Sequence, residues 1–206
     1  MRVIAGTARG THLLSVKGQK TRPILDSVKE ALFNIIREIV PDSYVIDLFA
    51  GTGALGIEAL SRSAAFCIFI DSGFDAVEVI KKNLLKAKLD DRARVLRLDV
   101  FKSCKYLFPP SLPSPSKGEG KGGGWLDLVL AGPPYELVEQ EEGRKRIIFL
   151  FQEMVEKEIL KSDGIIVLQH RRQHGQTSLS MPPHIDLEIF DSRCYGETQL
   201  TFLKIR

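Results

Sequence analysis

The stretch Tyr44–Arg62, YVIDLFAGTGALGIEALSR, limits the fold more than any other part of the chain. An apolar run of strand length, Tyr44–Phe49, turns within a few residues into a helix-forming run, Ala54–Arg62. Gly51, Gly53 and Gly56 stand at and just after the turn, in the spacing G-x-G-x-x-G. Glycine without a Cβ permits so tight a reversal and lets a ligand approach the backbone. A strand that feeds straight into a helix belongs to a parallel sheet with helices on its faces, because parallel neighbours need a crossover connection.

The rest of the chain repeats that unit. Phe66–Asp71 reads as a second strand, followed by a helix over Asp75–Lys88 with Val77, Ile80, Leu84 and Leu85 on one face. Arg94–Leu98 is a third strand, with a short helix at Phe101–Leu107, and Leu126–Ala131 is a fourth. An amphipathic helix from about Gly143 to Leu160 leads to a fifth strand, Gly164–Leu168. The rhythm then changes. Ile185–Phe190 and Gln199–Ile205 are separated only by Asp191–Thr198, too short for a helical crossover, so they pair antiparallel. The expected architecture is α/β and Rossmann-like: a mostly parallel seven-stranded sheet that closes with an antiparallel hairpin. Ahead of it, residues 1–42 form an extension, with a β-hairpin from Arg2–Ala5 and Thr11–Leu14 and a helix from Asp26 to Val40 whose apolar face is Val28, Leu32, Ile35, Ile36 and Ile39. Residues 43–206 form the main domain, interrupted at 109–124, where 12 of 16 residues are Pro, Gly or Ser; such a segment buries too little to offset its ordering entropy and reads as a flexible loop.

The glycine turn carries chemistry when an acidic group follows it. Asp71 lies 20 residues after Gly51 at the end of the second strand, where a carboxylate can accept both hydroxyls of a ribose. The alternative is that the glycines serve helix–sheet packing alone. Dinucleotide enzymes set a pyrophosphate on this helix N-terminus. S-adenosylmethionine enzymes use the same turn without a phosphate and carry an acidic residue in the first strand, as Asp47 is here. That carboxylate can fix the loop and face the cationic methionine end. Asp99, ending the third strand, is placed to accept from an adenine amino group, or else is an ordinary helix-capping Asp. The closing hairpin also favours the methyltransferase arrangement.

Ala131-Gly132-Pro133-Pro134-Tyr135 follows the fourth strand directly. It resembles the (Asp/Asn/Ser)-Pro-Pro-aromatic motif of methyltransferases that act on exocyclic amino groups of bases. Such a nitrogen is a poor nucleophile, since its lone pair is delocalised into the ring. A side-chain oxygen and a proline carbonyl draw on its protons, the prolines stiffen the turn, and the aromatic ring stacks on the base. Here Gly132 stands where the motif has its polar side chain, so one acceptor is missing. A water, or Asp127 or Glu136 nearby in sequence, is the expected substitute; otherwise the protein is slow or inactive.

Charge is distributed unevenly. Over the whole chain 29 basic and 26 acidic residues leave a net charge of +3. Residues 1–37 alone hold seven basic side chains (Arg2, Arg9, Lys17, Lys20, Arg22, Lys29, Arg37) against Asp26 and Glu30. A basic segment on a near-neutral body suits RNA, as well as plain solvation. No run of about 18 apolar residues predicts a membrane span, and the N-terminus has no secretory pattern. Cys67, Cys104 and Cys194, odd in number and far apart, predict neither disulfides nor a zinc site, and a cytoplasmic setting follows. His170 and His174 lack further ligands at metal spacing, so no metal is expected. No G-x-S-x-G elbow points to a hydrolase.

Taken together, Arg2-Val3-Ile4-Ala5-Gly6, Arg9-Gly10, Thr21-Arg22-Pro23, Val28–Asn34, the block Asp47–Ser61 and the Pro-Pro-Tyr turn resemble the bacterial RsmD family of 16S rRNA guanine-N2 methyltransferases, over nearly the whole chain outside 109–124. The resemblance implies that Asp47, Phe49, Gly51, Gly53, Asp71, Ser72, Asp99 and Val100 hold S-adenosyl-L-methionine. It implies that Gly132, Pro133, Pro134 and Tyr135 address the guanine, and that Arg2, Arg9, Lys17, Lys20 and Arg22 engage 16S rRNA or a small-subunit particle, with the protein a monomer. Besides Gly132, the chain departs from the family at Ile24-Leu25, where a Thr commonly caps the helix. The competing readings are an adenine-N6 methyltransferase, a nucleotide-dependent oxidoreductase, and an RNA-binding relative with weakened catalysis.

Overall fold

The computed structural model describes residues 1–16, 24–102, 124–172 and 181–206. Seven strands form one sheet: β1 (Tyr44–Leu48), β2 (Phe66–Asp71), β3 (Ala93–Arg97), β4 (Leu126–Ala131), β5 (Leu160–Arg171), β6 (Leu187–Tyr195) and β7 (Thr198–Ile205). Their spatial order is β3-β2-β1-β4-β5-β7-β6. The first five run parallel, and β7 inserts antiparallel between β5 and β6. The order reverses between β1 and β4, so the crevice beyond their carboxyl ends is where an open α/β sheet binds ligands.

The inner strands read VID, CIFI and LVLA because both faces of the sheet are covered. On one face α1 (Asp26–Ile35), α2 (Ala54–Ser61) and α3 (Phe74–Ala87) bury Leu32, Phe33, Ile57, Leu60 and Ile80 against Val45, Phe69 and Leu128. On the other, α5 (Glu141–Glu156) buries Ile147, Phe151 and Met154 against Ile46, Val129 and Leu168. The short α4 (Tyr135–Glu139) precedes it. No helix among the described residues is long and apolar enough to cross a membrane.

Several boundaries differ from expectation. β5, read as Gly164–Leu168, runs from Leu160 to Arg171, and β6, read as Ile185–Phe190, runs from Leu187 to Tyr195. Each keeps pairing with β7 beyond its apolar core. The helix read from Asp26 to Val40 stops at Ile35; beyond it Ile39 N–H donates to the Ile36 carbonyl in a tighter turn, which still buries Val40. The helix read to Leu160 ends at Glu156, because Glu158 takes a left-handed φ of 50° and Leu160 already pairs with Leu126 of β4. The N-terminal hairpin is narrow, with one bridged pair, Arg2 and His12, and ladder bonds Val3 N to Thr11 O and Leu13 N to Met1 O. Four further donors tie it to α2: Ile4 N and Ala5 N to the Glu58 carboxylate, Thr7 N to Ser61 O and Ala8 N to Ser61 Oγ. The Pro/Gly/Ser segment 109–123 and most of the helix read at Phe101–Leu107 lie outside the described residues; Val100–Lys102 is a single 3-10 turn.

Candidate active site

A cavity of about 430 Å³ opens at the carboxyl ends of β1, β2 and β4. Of the residues singled out in the sequence, Asp47, Phe49, Gly51, Asp71, Ser72, Asp99, Val100, Gly132 and Pro134 line it. Gly53, Pro133 and Tyr135, also singled out, are not among its lining residues. Met1, Ser15, Val16 and Ile24 of the N-terminal segment close one wall.

The glycine turn is shaped by positive φ at Phe49 (58°), Gly51 (56°) and Gly53 (76°). Asp71 holds it: one carboxylate oxygen accepts from Gly51 N and the other from Gly73 N, each at 2.8 Å. The third glycine does a different job. A Cβ on Gly56 would lie 2.3 Å from Phe69 Cε1 and 2.7 Å from Cys67 Sγ, so Gly56 lets α2 lie against β2. Asn83 of α3, fully buried, accepts from Leu14 N at 2.7 Å and donates to Leu14 O and Thr52 O. It thereby ties the glycine turn to the N-terminal wall.

Asp47 is buried at the base of the cavity, and its Oδ2 accepts from Gly56 N at 2.9 Å. No cation among the described residues pairs with it. Burial, opposed by that hydrogen bond and reinforced by the nearby Asp71 charge, pushes its carboxyl up to about 8. Near neutral pH this acid holds a proton, and an incoming cation would favour its ionised form. Asp99 also faces the cavity, while its Oδ1 accepts from Phe101 N at 3.0 Å and so caps the 3-10 turn. Phe49 packs edge-on to Phe101 below it, with ring centroids 5.8 Å apart.

The turn after β4 is stiff and directed. Pro134 caps α4, and its carbonyl accepts from Leu137 N, so Tyr135 begins a helix half-buried beside the cavity. Gly132 faces open space, since a Cβ there would meet only Gln169 Oε1, at 3.8 Å. Neither carboxylate proposed as its substitute reaches this place. Asp127 lies near the opposite end of β4, where it accepts from Tyr44 N and pairs with Lys161. Glu136 is exposed on α4 and does not line the cavity.

On the basic segment the outcome is divided. Arg9 is exposed in the hairpin turn, and Arg2 is exposed with a loose pair to Asp26 at 3.5 Å. Lys17, Lys20 and Arg22 fall outside the described residues, as does His174. Lys29 does not contribute to a basic surface: it is fully buried, donates to Arg2 O at 2.6 Å and pairs with Glu58 at 3.1 Å. His170 is buried on β5 beside β7, where Nδ1–H donates to Arg171 O and Nε2 accepts from the Thr201 hydroxyl; burial lowers its pKa. Gln169 was not singled out in the sequence, yet it lines the cavity beside Gly132. The available signal was a polar residue ending the apolar run Gly164–Leu168.

Known proteins resemble the chain over its whole length. The family model "Conserved hypothetical protein 95" matches residues 1–204, and the YlbH protein of Bacillus subtilis is 36% identical over 208 residues, covering 100% of both chains. The chain belongs to the RsmD family. Within it, the ribosomal RNA small subunit methyltransferase D of Haemophilus influenzae is 41% identical over 143 residues, covering 68% of this chain and 67% of that protein. The solved yhhF structure of Escherichia coli superposes with a TM-score of 0.75 at 25% identity, over 100% of this chain and 98% of that one. The RsmD-family chain thus has the Rossmann-like methyltransferase fold, with the expected mostly parallel seven-stranded sheet and its antiparallel end.

Proposed function

We propose that this chain transfers a methyl group from S-adenosyl-L-methionine to the exocyclic N2 amino group of a guanine in 16S rRNA, acting as a cytoplasmic monomer on the RNA or a small-subunit particle. One observation carries this reading: Asp47, Asp71 and Asp99 converge with Gly132 and Pro134 on one cavity at the switch point of the sheet. The donor set suits the cofactor. Each Asp71 oxygen keeps acceptor capacity after bonding Gly51 and Gly73 and would accept from the ribose hydroxyls, the buried Asp47 would offer a counter-charge to the cationic methionine end, and Asp99, lining the same cavity, would accept from the adenine amino group. The relatives named for small-subunit rRNA methylation support the substrate.

When bound, S-adenosylmethionine would supply a methyl group already activated on a sulfonium, and the amino nitrogen that accepts it would release one proton to water. The chain's residues are left to position and polarise. The guanine is unstacked into the pocket, and Tyr135 stacks on it. The Pro133 carbonyl, one residue ahead of the carbonyl engaged in α4, accepts from the amino group. Arg2, Arg9, Lys17, Lys20 and Arg22 hold the RNA backbone.

The test is methyl transfer from labelled S-adenosylmethionine to small-subunit RNA and particles that lack methylation, with the modified nucleoside identified by mass spectrometry. N2-methylguanosine at one position is expected, and Asp71→Ala should weaken cofactor binding. Methylation of adenine, or tight nicotinamide-dinucleotide binding with no S-adenosylmethionine binding, overturns the reading.

A further inference from the structure

We infer that Gln169, at the end of β5, is a catalytic residue that supplies the side-chain acceptor absent from Gly132. The inference rests on the functional reading above and deepens it. β4 and β5 run parallel in the register Leu130–Val167 and Ala131–Leu168, so the next step sets Gly132 beside Gln169 on the same face of the sheet. The Gln169 side chain occupies that face: its Oε1 is the one heavy atom within 4 Å of where a Cβ on Gly132 would be. The residue is 8% exposed, lines the cavity, and its amide makes no hydrogen bond within the described residues. Its amide atoms are not sealed in the core, since Asp26 Oδ1 is the one buried side-chain polar atom without a partner among the described residues; they open on the cavity, where a ligand can bond them.

The chemistry fits the place. In the motif the first residue accepts an N–H of the target amino group with a side-chain oxygen. Gln169 Oε1 offers the same kind of acceptor in the space that this side chain would enter, reached from the neighbouring strand rather than from the turn itself. It accepts a hydrogen bond and takes no proton, so the proton released on methyl transfer still leaves to water. The amide does not ionise, so this acceptor adds no further charge beside the buried Asp47. The substitution at Gly132 and the placement of Gln169 are then one change: the acceptor has moved by one strand.

The experiment measures kcat on RNA together with the dissociation constant for S-adenosylmethionine. Gln169→Met keeps an unbranched side chain of similar size and removes the acceptor. It should lower kcat about 100-fold, as loss of one preorganised polar group in an active site does, while cofactor affinity and melting temperature stay as in the wild type. Gln169→Glu keeps an acceptor and should lose less than about tenfold. Gly132→Asp placed in the Gln169→Met background should restore at least about tenfold of the lost rate, a rescue that a purely structural role for Gln169 does not predict. If the methionine variant fails to fold, Gln169→Asn, which withdraws the same amide by one methylene, makes the test. A kcat within about threefold of wild type for the variant without the acceptor overturns the inference, as does a loss in Gln169→Glu equal to that in Gln169→Met. A wild type that methylates no guanine is a separate result, and it overturns the functional reading itself.

Discussion

Two buried carboxylates meet at α2, one carried by the helix and one bonded to its backbone, and they are treated in opposite ways. Glu58, within the helix, is fully buried and fully partnered: Lys29 at 3.1 Å, Arg62 Nε at 2.8 Å, and the N–H groups of Ile4 and Ala5 at 2.8 and 3.0 Å. Asp47, against the first turn of the same helix, is 2% exposed and has Gly56 N as its one hydrogen-bond donor among the described residues, with no cation. A buried charge with two counter-charges and satisfied lone pairs seals a seam. A buried acid facing a cavity with none keeps its proton until a cation arrives. The first arrangement belongs to architecture and the second to binding, and α2 joins them.

The sharpest way to break this comparison is Glu58→Gln. It removes the negative charge between Lys29 and Arg62 and turns an amide N–H toward the donors of Ile4 and Ala5. Lys29, with no exposed surface, is left without its counter-charge. Breaking one partner of such a buried pair costs roughly 3–5 kcal/mol. Chemical denaturation should show that loss, along with early proteolysis of the N-terminal segment. A loss below about 1 kcal/mol, the value of a surface ion pair, would show that the seam is held by its apolar contacts instead.

A smaller loss is expected at Gly56, whose N–H reaches Asp47. Gly56→Ala drives a methyl group into Phe69 and Cys67, both fixed in β2, and overpacking of this kind costs roughly 1–3 kcal/mol. Gly132→Ala is the control, because its Cβ meets open space, and its melting temperature should match the wild type. Equal destabilisation in the two variants would mean that backbone freedom, rather than helix–sheet packing, is what Gly56 provides.

Much of this was legible in the sequence, and the reasons for success and failure are physical. Strand–helix alternation and the short link between the last two strands determine the sheet, since crossover length limits parallel pairing. The glycine turn with Asp71 brought together residues that do share a cavity. What stayed hidden depends on contacts between distant segments. Lys29 reads as one more basic residue until Glu58, 29 positions away, claims it. Gln169 has no motif around it, and its relation to Gly132 exists only through the β4–β5 register. The helix ends were displaced where Ile39 and Ile159-Leu160 prolong an apolar period that the backbone has already left.

Asp47→Asn tests the binding half of the comparison through pH. The folded wild type holds a proton on Asp47 up to about pH 8, whereas an unfolded chain releases it near the ordinary value of 3.8. Between those values the folded state binds the extra proton, so stability falls as pH rises, by at most about 1.4 kcal/mol per pH unit. The asparagine variant keeps an acceptor for Gly56 N and should lose that slope. Binding of S-adenosylmethionine to the wild type at pH 7 should release close to one proton from Asp47, read by calorimetry in buffers of different ionisation enthalpy. The variant should release none and bind more weakly. Equal proton release by both would remove Asp47 from the cationic end of the site.

The smallest effect separates the two roles within one residue of the seam. The Arg2 carbonyl is fixed by Lys29, whereas its guanidinium is 61% exposed and only loosely paired with Asp26; Arg9, exposed in the turn, has its backbone anchored to Gly6 O. If the hairpin presents these charges to RNA phosphates, each neutralised phosphate contributes about 0.7 to 0.9 to the slope of log affinity against log salt concentration. Arg9→Ala should therefore reduce that slope by somewhat less than one, with the melting temperature unchanged. Arg2→Ala should reduce it less, since Asp26 competes for its charge. A slope unchanged in both variants would confine the hairpin to the architectural side of α2, and the RNA footprint would have to begin beyond it.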